Sequence, residues 1–356
     1  IGNQPPAVNA GPDWVISTGG SVNLSATFTD TPSDTPWSYT ITWGDGSVQS
    51  STATASPIIS SHAYATSGQY TLLVSVTDRR GLTGSDNAIV NVSDATPSQV
   101  LVGAGDIARC DRTDDEATDI SGTVFTIGDN VLGSSSVVPD FTNCYAPSTT
   151  WGRFKARTRP APGHMESWSP GSATYYDYWG TAAGTRGSGY YSYDLGAWHI
   201  VVLNSGGDIS TAAGSAQELW LKADLAASTK QCTIAIWHHP RFSSTGTALR
   251  AEVKPFWDDL YAAGAELVLN AHYEVYERFA PQTPDGVSDP LRGIRQFTVG
   301  TGGIGTGAVT AVQPNSEVRN PVVYGVLKLT LSTTGYTWQF ISVGGTFTDT
   351  GSGSCH

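Results

Sequence analysis

The sequence predicts a small all-β unit followed by a larger domain of mixed α/β type, and three observations support this division. Apolar and polar residues alternate with a period of two in YTLLVSVTD (70–78) and NAIVNVSD (87–94). The composition changes at SDATPSQ (93–99). Beyond it, continuous apolar runs alternate with helical patterns, which is typical of strands that are buried on both faces. We therefore expect units at residues 1–96 and 97–356.

Short strands joined by glycine turns account for the first unit. The segment TWGDGSVQS (42–50) places a Gly-Asp-Gly turn after an aromatic strand, and RRGLTGSD separates the two alternating segments. This spacing is typical of an all-β unit.

Buried strands and helices alternate in the second unit. The strands are predicted within WHIVVLNS (198–205), CTIAIWHH (232–239), AELVLNAH (265–272) and QFTVGTG (296–302). One helix begins after Ser215, which stands at capping-box spacing from Glu218. A second helix carries Trp257 and Leu260 on its apolar face and ends at Gly264. The alternating segments YGVLKLTLS and YTWQFISV predict a C-terminal hairpin.

Charge and hydropathy exclude several classes of protein. The net charge is −12 with only 19 Lys and Arg residues, which argues against a nucleic-acid binder that neutralises phosphates. No run of 18 apolar residues occurs, so no transmembrane helix is predicted. The glycine-rich loop VGTGGIGTG (299–307) lacks the Lys of a P-loop. The chain begins at Ile1 without Met, and we interpret it as a mature, secreted monomer.

The four cysteines indicate an oxidising compartment. They are Cys110, Cys144, Cys232 and Cys355, and none belongs to a C-x-x-C pair, so a zinc ribbon is unsupported. An even number in an acidic chain rich in Gly, Ser and Thr indicates two disulfides, with four buried thiols as the alternative. Spacing alone leaves all three pairings open.

Polar residues follow five apolar segments at the point where each predicted strand ends. A single Asp at a strand end is commonly a turn or a helix cap. Five such segments in series indicate instead a ligand site at the edge of a sheet. The segments are LVGAGDIARC with Asp106, VFTIGDNVLG with Asp129 and Asn130, PAPGHMES with His164 and Glu166, AIWHHP with His238 and His239, and LNAHYE with His272 and Glu274.

His272 and Glu274 stand two residues apart directly after an apolar run. In extended chain, side chains at positions i and i+2 point the same way. We therefore expect this imidazole and this carboxylate to face one metal site.

The first unit resembles PKD domains, which are immunoglobulin-like β-sandwiches appended to secreted bacterial enzymes. The segments QPPAVNAGPD, ITWGDG and HAYATSGQYTLLVSVTDRRG carry the resemblance and extend over nearly the whole unit. His62 belongs to this pattern, so we assign it a structural role.

The second unit resembles the calcineurin-like metallophosphoesterases, and in particular a secreted bacterial branch similar to purple acid phosphatases. The order of GD, GDN, G-x-x-E, HH and H-x-E-x-x-YER carries the resemblance, together with TWGRFKARTRPAPG and WHHPRFSS. It implies a β-sandwich flanked by helices, and a two-metal site that activates water for attack at phosphorus.

Four polar positions depart from the family pattern. His164 stands where the family has a metal-binding Asn, and Met165 stands where it has a His beside the substrate. Met165 cannot move a proton. Glu274 replaces the second His of Gly-His-x-His, and Leu132 replaces the Tyr that colours purple phosphatases. The departures imply a remodelled metal centre, with a degenerate, empty site as the alternative.

The resemblance implies two half-sites that share one carboxylate. The ligands of the first are Asp129, His164, His238 and His272, a set that suits Zn²⁺. The ligands of the second are Asp106, Asp129 and Glu274, an all-oxygen set that suits Mn²⁺, Mg²⁺ or Ca²⁺.

Further roles are assigned to residues near these ligands. The expected catalytic residues are Asn130, which would hold a substrate oxygen, His239, which would donate a proton, and Glu166. The expected substrate contacts are Arg153, Tyr191 and Tyr273, since tyrosines can stack on sugars in an extracellular protein. Surface ion pairing for Arg153 and packing for Tyr191 are the alternatives.

The same resemblance implies a disulfide pairing. In that fold Cys110 and Cys144 lie on loops that carry the site, whereas Cys232 begins a core strand at the opposite end. We therefore expect Cys110–Cys144 and Cys232–Cys355 bridges.

These features together predict a secreted, metal-dependent hydrolase of phosphate monoesters or diesters. The second hypothesis is a carbohydrate-active lyase or hydrolase, in which a His or Tyr abstracts a proton beside a cation that neutralises a uronate. The PKD resemblance and the tyrosines motivate it, and they make an extracellular polysaccharide the alternative to a small phosphate ester. A non-catalytic binding protein is the third hypothesis.

Overall fold

The computed structural model of the protein describes residues 2–93, 97–111, 121–133, 138–146 and 150–356. The chain divides into two compact units, residues 1–95 and 96–356. The first unit packs around one hydrophobic core, and the second unit around two others.

Two β-sheets form the first unit. Its strands are β1 (Ala7–Asn9), β2 (Trp14–Ser17), β3 (Ser21–Thr29), β4 (Trp37–Thr42), β5 (Val48–Ala53), β6 (Ile58–Ala63), β7 (Gly68–Thr77) and β8 (Thr83–Ser93), with a 3₁₀ turn at Pro32–Asp34. One sheet has the order β1-β3-β6, and the other has the order β2-β8-β7-β4-β5.

Strict alternation along these strands builds the core of the first unit. In β3 the residues Val22, Leu24 and Ala26 are buried, whereas their neighbours in sequence are exposed. In β7, Leu72 is fully buried and Leu73 lies on the outer face. Because side chains of a strand point alternately to its two faces, each sheet covers the core with one face and meets water with the other. The predicted all-β class of this unit is confirmed.

Strands of two larger sheets and three α-helices form the second unit. The strands are β9 (Gln99–Ala104), β10 (Thr123–Ile127), β11 (Thr158–Ala161), β12 (Tyr191–Leu195), β13 (Trp198–Val202), β14 (Cys232–Ile236), β15 (Leu267–Asn270), β16 (Tyr276–Phe279), β17 (Arg295–Val299), β18 (Ser316–Asn320), β19 (Gly325–Leu331), β20 (Gly335–Ser342) and β21 (Thr350–Ser354). The helices are α1 (Ala173–Trp179), α2 (Ala216–Ala227) and α3 (Lys254–Ala262). Short helical turns lie at Phe141–Tyr145, Trp151–Arg157, Glu166–Trp168, Pro170–Ser172, Gly180–Ala183 and Ala251–Val253.

The two sheets of the second unit share a core. One has the order β11-β10-β9-β19-β20-β21, and the other has the order β12-β13-β14-β15-β17-β16-β18. Strands β9, β10 and β11 are parallel neighbours, and so are β13, β14, β15 and β17. The carboxyl ends of the strands within each parallel set therefore lie at one edge of their sheet.

Residues of β14 explain why its sequence reads as a continuous apolar run. Ile234 and Ile236 face the core between the sheets, whereas Ala235 and Trp237 face a second core that includes α2 and α3. A strand covered on both faces has no polar side, so its periodicity disappears. The mixed class predicted for this unit is confirmed.

Helix α2 begins as its sequence predicts. The Ser215 side chain accepts the backbone N–H of Glu218 at 3.3 Å, while the Glu218 carboxylate accepts the N–H of Gly214 at 3.0 Å. One amide of the first turn and the amide of Gly214, just before the cap, are thereby paired.

Two disulfides join the expected cysteines. Cys110 pairs with Cys144, and Cys232 pairs with Cys355. The second bridge ties the segment after β21 to the first residue of β14. Within the described ranges, no helix combines the length and hydrophobicity that a membrane span requires.

Neighbouring leucines of β7 provide a matched test of the first core. We expect Leu72→Ala to lower the free energy of unfolding by about 2–5 kcal/mol, because it leaves a cavity among buried side chains. We expect Leu73→Ala, on the outer face of the same strand, to change it by less than about 0.5 kcal/mol. Urea titration of both variants measures the difference, and equal losses would contradict the described register.

Candidate metal centre

The candidate site lies where parallel strands of both sheets end. The loops after β10 and β11 carry Asp129 and His164, and the loops after β14 and β15 carry His238 and His272. These strands belong to two different sheets. Their side chains nevertheless meet, because the two sheets pack around one core with these ends adjacent.

Four side chains present ligand atoms to a common point. Asp129 Oδ2 lies 3.0 Å from His164 Nδ1 and 3.1 Å from His238 Nε2. His238 Nε2 lies 3.1 Å from His164 Nδ1 and 3.2 Å from His272 Nδ1. In a tetrahedral zinc site, with metal–ligand distances of about 2.0–2.1 Å, neighbouring donor atoms are about 3.3 Å apart. The separations among Asp129, His164 and His238, and between His238 and His272, are close to those between the ligands of one small cation.

The Asp129 carboxylate has one satisfied oxygen and one orphaned oxygen. Oδ1 accepts the backbone N–H of Met165 at 2.9 Å. Oδ2 is buried and accepts no well-aligned hydrogen bond, although two imidazole nitrogens lie close to it. Such an orphaned oxygen is costly, and a cation shared with the imidazoles would satisfy it. These residues fit a metal ion.

His238 has its tautomer set by a backbone contact. The ring is fully buried, and Nδ1 lies 2.9 Å from the carbonyl oxygen of Ile127. A carbonyl can only accept, so Nδ1 carries a proton and Nε2 is the nitrogen that would bind a metal. This is the outer contact that metal-binding histidines usually make.

Burial and charge shift the pKa values of these groups in opposite directions. Burial lowers the pKa of His238, but Asp129 outweighs it and raises this pKa to about 9. Burial raises the pKa of Asp129, but His238 and His164 outweigh it and hold this pKa well below its usual range. Burial and His238 lower the pKa of His272, and they lower the pKa of His239 to about 2.

Backbone strain concentrates in the same loops. Six described non-glycine residues have a left-handed φ, and four of them are candidate ligands: Asp106 (56°), Asp129 (47°), His272 (82°) and Glu274 (46°). Such conformations cost about 1–3 kcal/mol each and cluster at functional sites.

Asp106 lies beside the cluster, but Glu274 does not join it. Ligand atoms of Asp106, Asp129 and His238 lie within 4.8 Å of one another, and Asp106 Oδ2 accepts the backbone N–H of His272 at 2.7 Å. Among the described residues, Glu274 belongs to no such group of three. Because the chain is left-handed at His272 and Glu274, the alternation of an extended strand does not apply there. The expected all-oxygen half-site is not assembled.

Glu166 lies behind the centre and positions it. Its fully buried carboxylate accepts the backbone N–H groups of Asp129, Asn130 and Gly163 at 3.0, 2.8 and 2.6 Å. Gly163 packs so closely that a Cβ there would lie 2.1 Å from Asp129 Oδ1. These contacts give Glu166 a positioning role, and the structure does not bring it to a substrate.

Asn130 is also buried behind the centre. Its amide nitrogen donates to the carbonyl oxygen of Ala161 at 3.0 Å and to Glu166 at 3.3 Å. Its side chain is fully enclosed, so the structure does not bring it to a substrate oxygen either.

His239 adds a fourth imidazole. Candidate ligand atoms of His164, His238, His239 and His272 lie within 4.8 Å of one another. His239 Nδ1 lies 3.1 Å from Ser205 Oγ, which also accepts the backbone N–H of His239 at 3.0 Å. Burial lowers the pKa of this ring to about 2, so it stays neutral and can make hydrogen bonds. The expected role as a proton donor requires an imidazolium, which burial disfavours.

Arg250 is a site residue that the sequence did not indicate. Its Nη2 lies 2.8 Å from His272 Nε2, and its Nη1 donates to Glu252 at 2.8 Å. Its Nε and Nη2 donate to the hydroxyl of Tyr273 at 3.3 and 3.1 Å. Arg250 lies 22 residues before His272 in a non-repetitive loop, where no spacing pattern connects them.

A cleft of about 790 Å³ opens beside the centre. His164, His239 and Arg250 line it, together with a wall of small residues that includes Ser210 and Thr211. Its volume is typical of small-molecule sites.

Two expected substrate contacts do not line this cleft. The Tyr191 hydroxyl donates to the carbonyl oxygen of Pro160 at 2.9 Å, and the ring packs against the core. Arg153 donates to the carbonyl oxygen of Thr150 at 2.8 Å and lies over the Phe154 ring. Tyr273, the third expected contact, lies next to the cleft through its bonds to Arg250.

The first unit matches a known family, and part of the chain matches a known phosphatase. Residues 3–93 match the PKD domain family model, which confirms the resemblance of that unit. Purple acid phosphatase 15 of Arabidopsis thaliana is 36% identical over 102 residues. The match covers 27% of this chain and 19% of the phosphatase, so the chain spans about a fifth of that relative's length.

Two solved structures are similar to separate parts of the chain. The PKD domain of an M14-like peptidase from Thermoplasmatales archaeon SCGC AB-540-F20 is 22% identical, with a TM-score of 0.24, over 26% of this chain and 100% of that one. Wild-type Vps29 complexed with Zn²⁺, from Entamoeba histolytica, is 10% identical, with a TM-score of 0.32, over 72% of this chain and 99% of that one.

Two buried or half-buried glutamates provide a matched test of the positioning role. We expect Glu166→Gln to lower the free energy of unfolding by about 1–3 kcal/mol, because an amide has one acceptor oxygen for three backbone donors. We expect Glu274→Gln to cause less loss, since Glu274 is half-buried and its raised pKa is not offset by backbone N–H groups as that of Glu166 is. Urea titration of chelator-treated protein compares them, and an undiminished stability of Glu166→Gln would contradict the role.

Proposed function

We propose that this chain is an extracellular, metal-dependent hydrolase of phosphate esters that works with one principal metal ion. The observation that carries the proposal is that imidazole nitrogens of His164 and His238 lie against the orphaned Oδ2 of Asp129, with His272 Nδ1 3.2 Å from His238 Nε2. Three His and one Asp form a donor set typical of Zn²⁺. The partial match to a purple acid phosphatase supports the reaction class, and the PKD domain and the disulfides support an extracellular site of action.

The metal and the protein would contribute separately to hydrolysis. A bound divalent cation supplies Lewis-acid polarisation of a phosphoryl oxygen. Asp129, His164, His238 and His272 would hold it. The neutral ring of His239, which contacts Ser205, can accept a hydrogen bond from an attacking water at the wall of the cleft, and the proton of that water passes to solvent. The water oxygen becomes bonded to phosphorus, the ester P–O bond breaks, and the alcohol leaves with a proton from solvent.

Met165 limits the departure of the alcohol. It stands where the resembling family has a histidine, and its thioether cannot donate a proton. The loss of a general acid costs about 10²–10⁴-fold in rate. Esters with good leaving groups should therefore be the better substrates.

A second candidate function is cleavage of an acidic polysaccharide, and the surroundings of Arg250 favour it. The cleft is larger than a simple phosphate ester needs, and Arg250 and Tyr273 lie together at its side. In such a lyase, a base takes the proton next to a uronate carboxylate, and the glycosidic oxygen leaves from the following carbon. Arg250 would then neutralise the carboxylate.

The metal content tests the centre directly. We expect purified protein to carry about one transition-metal ion per chain, most often zinc, because only one of the two half-sites is assembled. His238→Ala should lose it, whereas His199→Gln, which removes a histidine of another cluster, should keep it. Elemental analysis measures both. Two equivalents of iron with a purple band would contradict the proposal, since Leu132 cannot supply the phenolate that such a band requires.

The reaction is tested by two parallel assays. Phosphate release from aryl phosphates and diesters, and the ultraviolet absorbance of unsaturated uronate, are each measured before and after chelation. We expect chelator-sensitive phosphate release with no unsaturated product. Unsaturated uronate without phosphate release would replace the hydrolase with the lyase.

Restoring the missing histidine tests the role of position 165. We expect Met165→His to raise phosphate release from the metal-loaded protein, most of all from alkyl esters, because an imidazole can donate the proton that the departing oxygen needs. Met165→Leu keeps a side chain of similar volume that cannot donate a proton, so its rate of phosphate release should match that of the wild type. Fast wild-type turnover of alkyl phosphates would show that the lost histidine matters little.

A further inference from the structure

The contact between Arg250 and His272 defines a tautomer of the metal-free ring. Arg250 Nη2 lies 2.8 Å from His272 Nε2. A guanidinium has donors only, so this hydrogen bond requires an Nε2 without a proton. In a neutral imidazole the proton then lies on Nδ1, the atom that faces the cluster and lies 3.2 Å from His238 Nε2.

A metal on His272 Nδ1 reverses this arrangement. Ligation uses the Nδ1 lone pair, so the ring proton must lie on Nε2, as it does in other metal-binding histidines. The N–H of Nε2 and the N–H of Nη2 would then be two donors facing each other. The metal also repels the guanidinium across a short distance. The present contact between Arg250 and His272 is therefore incompatible with a loaded centre.

Other contacts keep Arg250 beside the cleft when this one is lost. Nη1 donates to Glu252 at 2.8 Å, and Nε donates to the Tyr273 hydroxyl at 3.3 Å. The same hydroxyl accepts the backbone N–H of Thr247 at 3.0 Å. Gly246 packs against the Tyr273 ring, where a Cβ would lie 2.4 Å from a ring carbon. Glu252 and Tyr273 can thus hold Arg250 beside the cleft when Nη2 no longer contacts His272.

Arg250 is also the cation that the cleft offers. Its side chain is 18% exposed, and it is the one Lys or Arg among the described residues that line the cleft. His164 and His239 line the same cleft, so a ligand at Arg250 also lies beside the metal centre.

We propose that metal binding releases Arg250 Nη2 from His272 and makes Arg250 the receptor for an oxyanion of the substrate. The proposal rests on the metal centre of the proposed function. Both carboxylate and phosphate present paired oxygens that match the planar guanidinium. Arg250 is in this sense a specificity-determining residue, which selects substrates with a negative group next to the reacting bond.

The release of Arg250 makes metal and anion binding reciprocal. If zinc tightens anion binding, the anion must tighten zinc binding by the same factor. In the metal-free protein the guanidinium is engaged by His272, so removing it should change anion binding little. The loss of Arg250 should therefore weaken anion binding only in the zinc-loaded protein. A residue with a merely structural role would not show this dependence on zinc.

Calorimetric titration of the full chain tests this prediction. Zinc is titrated into metal-free wild type, Arg250→Gln and Arg186→Gln, and then orthophosphate and a galacturonate oligosaccharide are titrated into each protein with and without zinc. We expect Arg250→Gln to weaken anion binding to the zinc-loaded protein by about 10- to 100-fold. Its zinc affinity should equal or exceed that of wild type, because a nearby cation is gone.

Arg186→Gln is the matched control for lost positive charge. Arg186 is exposed and paired with Asp177, and it does not line the cleft. It should bind zinc and anions as wild type does. Arg250→Lys, which keeps the charge but not the planar fork, should fall between wild type and Arg250→Gln, and melting temperatures show whether either variant is misfolded.

The outcomes separate this proposal from the proposed function. Unchanged anion affinity of zinc-loaded Arg250→Gln, or a clear loss of its zinc affinity, would overturn the role of Arg250 and leave the metal centre intact. Failure of wild type to bind zinc would overturn the centre itself. Tighter binding of phosphate identifies a phosphoryl group as the oxyanion, and tighter binding of the galacturonate oligosaccharide identifies a carboxylate.

Discussion

The buried Glu166 carboxylate is the interaction on which the candidate site depends. It accepts backbone N–H groups from the Asp129 loop and from Gly163, and so it joins the loops after β10 and β11. Asp129 itself is held in a left-handed conformation that is unfavourable for an Asp. Because Gly163 packs directly against the Asp129 carboxylate, with no room between them for a side chain, this carboxylate can move little. Its Oδ2 therefore remains directed at the imidazoles, even though it gains no hydrogen bond there.

The site concentrates unfavourable electrostatics that a cation would relieve. Burial opposes the charge on Asp129, Asp106 and Glu274, and burial also opposes protonation of His272. The contacts of Asp129 with the histidines, and the backbone N–H of His272 that Asp106 accepts, offset part of this cost. Buried ionisable side chains of this kind are seldom maintained for stability alone, because apolar side chains of similar volume have a smaller free-energy cost of burial. The arrangement is better explained as a preorganised binding site whose cost is offset when its ligand is present.

The altered motifs change the chemistry of the centre more than its shape. Glu274 stands outside the cluster, and Leu132 offers no ligand atom, so the second half-site lacks two of its donors. His164 strengthens the first half-site, since an imidazole is a better zinc ligand than an amide. Arg250 adds a positive charge next to His272. Under the proposed function, these differences would bias the centre toward one metal and an anionic substrate.

The sequence by itself determined the elements that depend on local patterns. Alternation predicted the all-β unit, continuous apolar runs predicted the buried strands, Ser215 predicted the start of α2, and strand-end polarity predicted which histidines gather. The tertiary structure decided the rest, because side-chain direction at a strand end depends on backbone turns that have no period. Left-handed turns at His272 and Glu274 removed Glu274 from the cluster, and close packing placed Glu166 behind it. Arg250 reached the site through the folding of an irregular loop, and contacts of that kind exist only once distant segments are packed together.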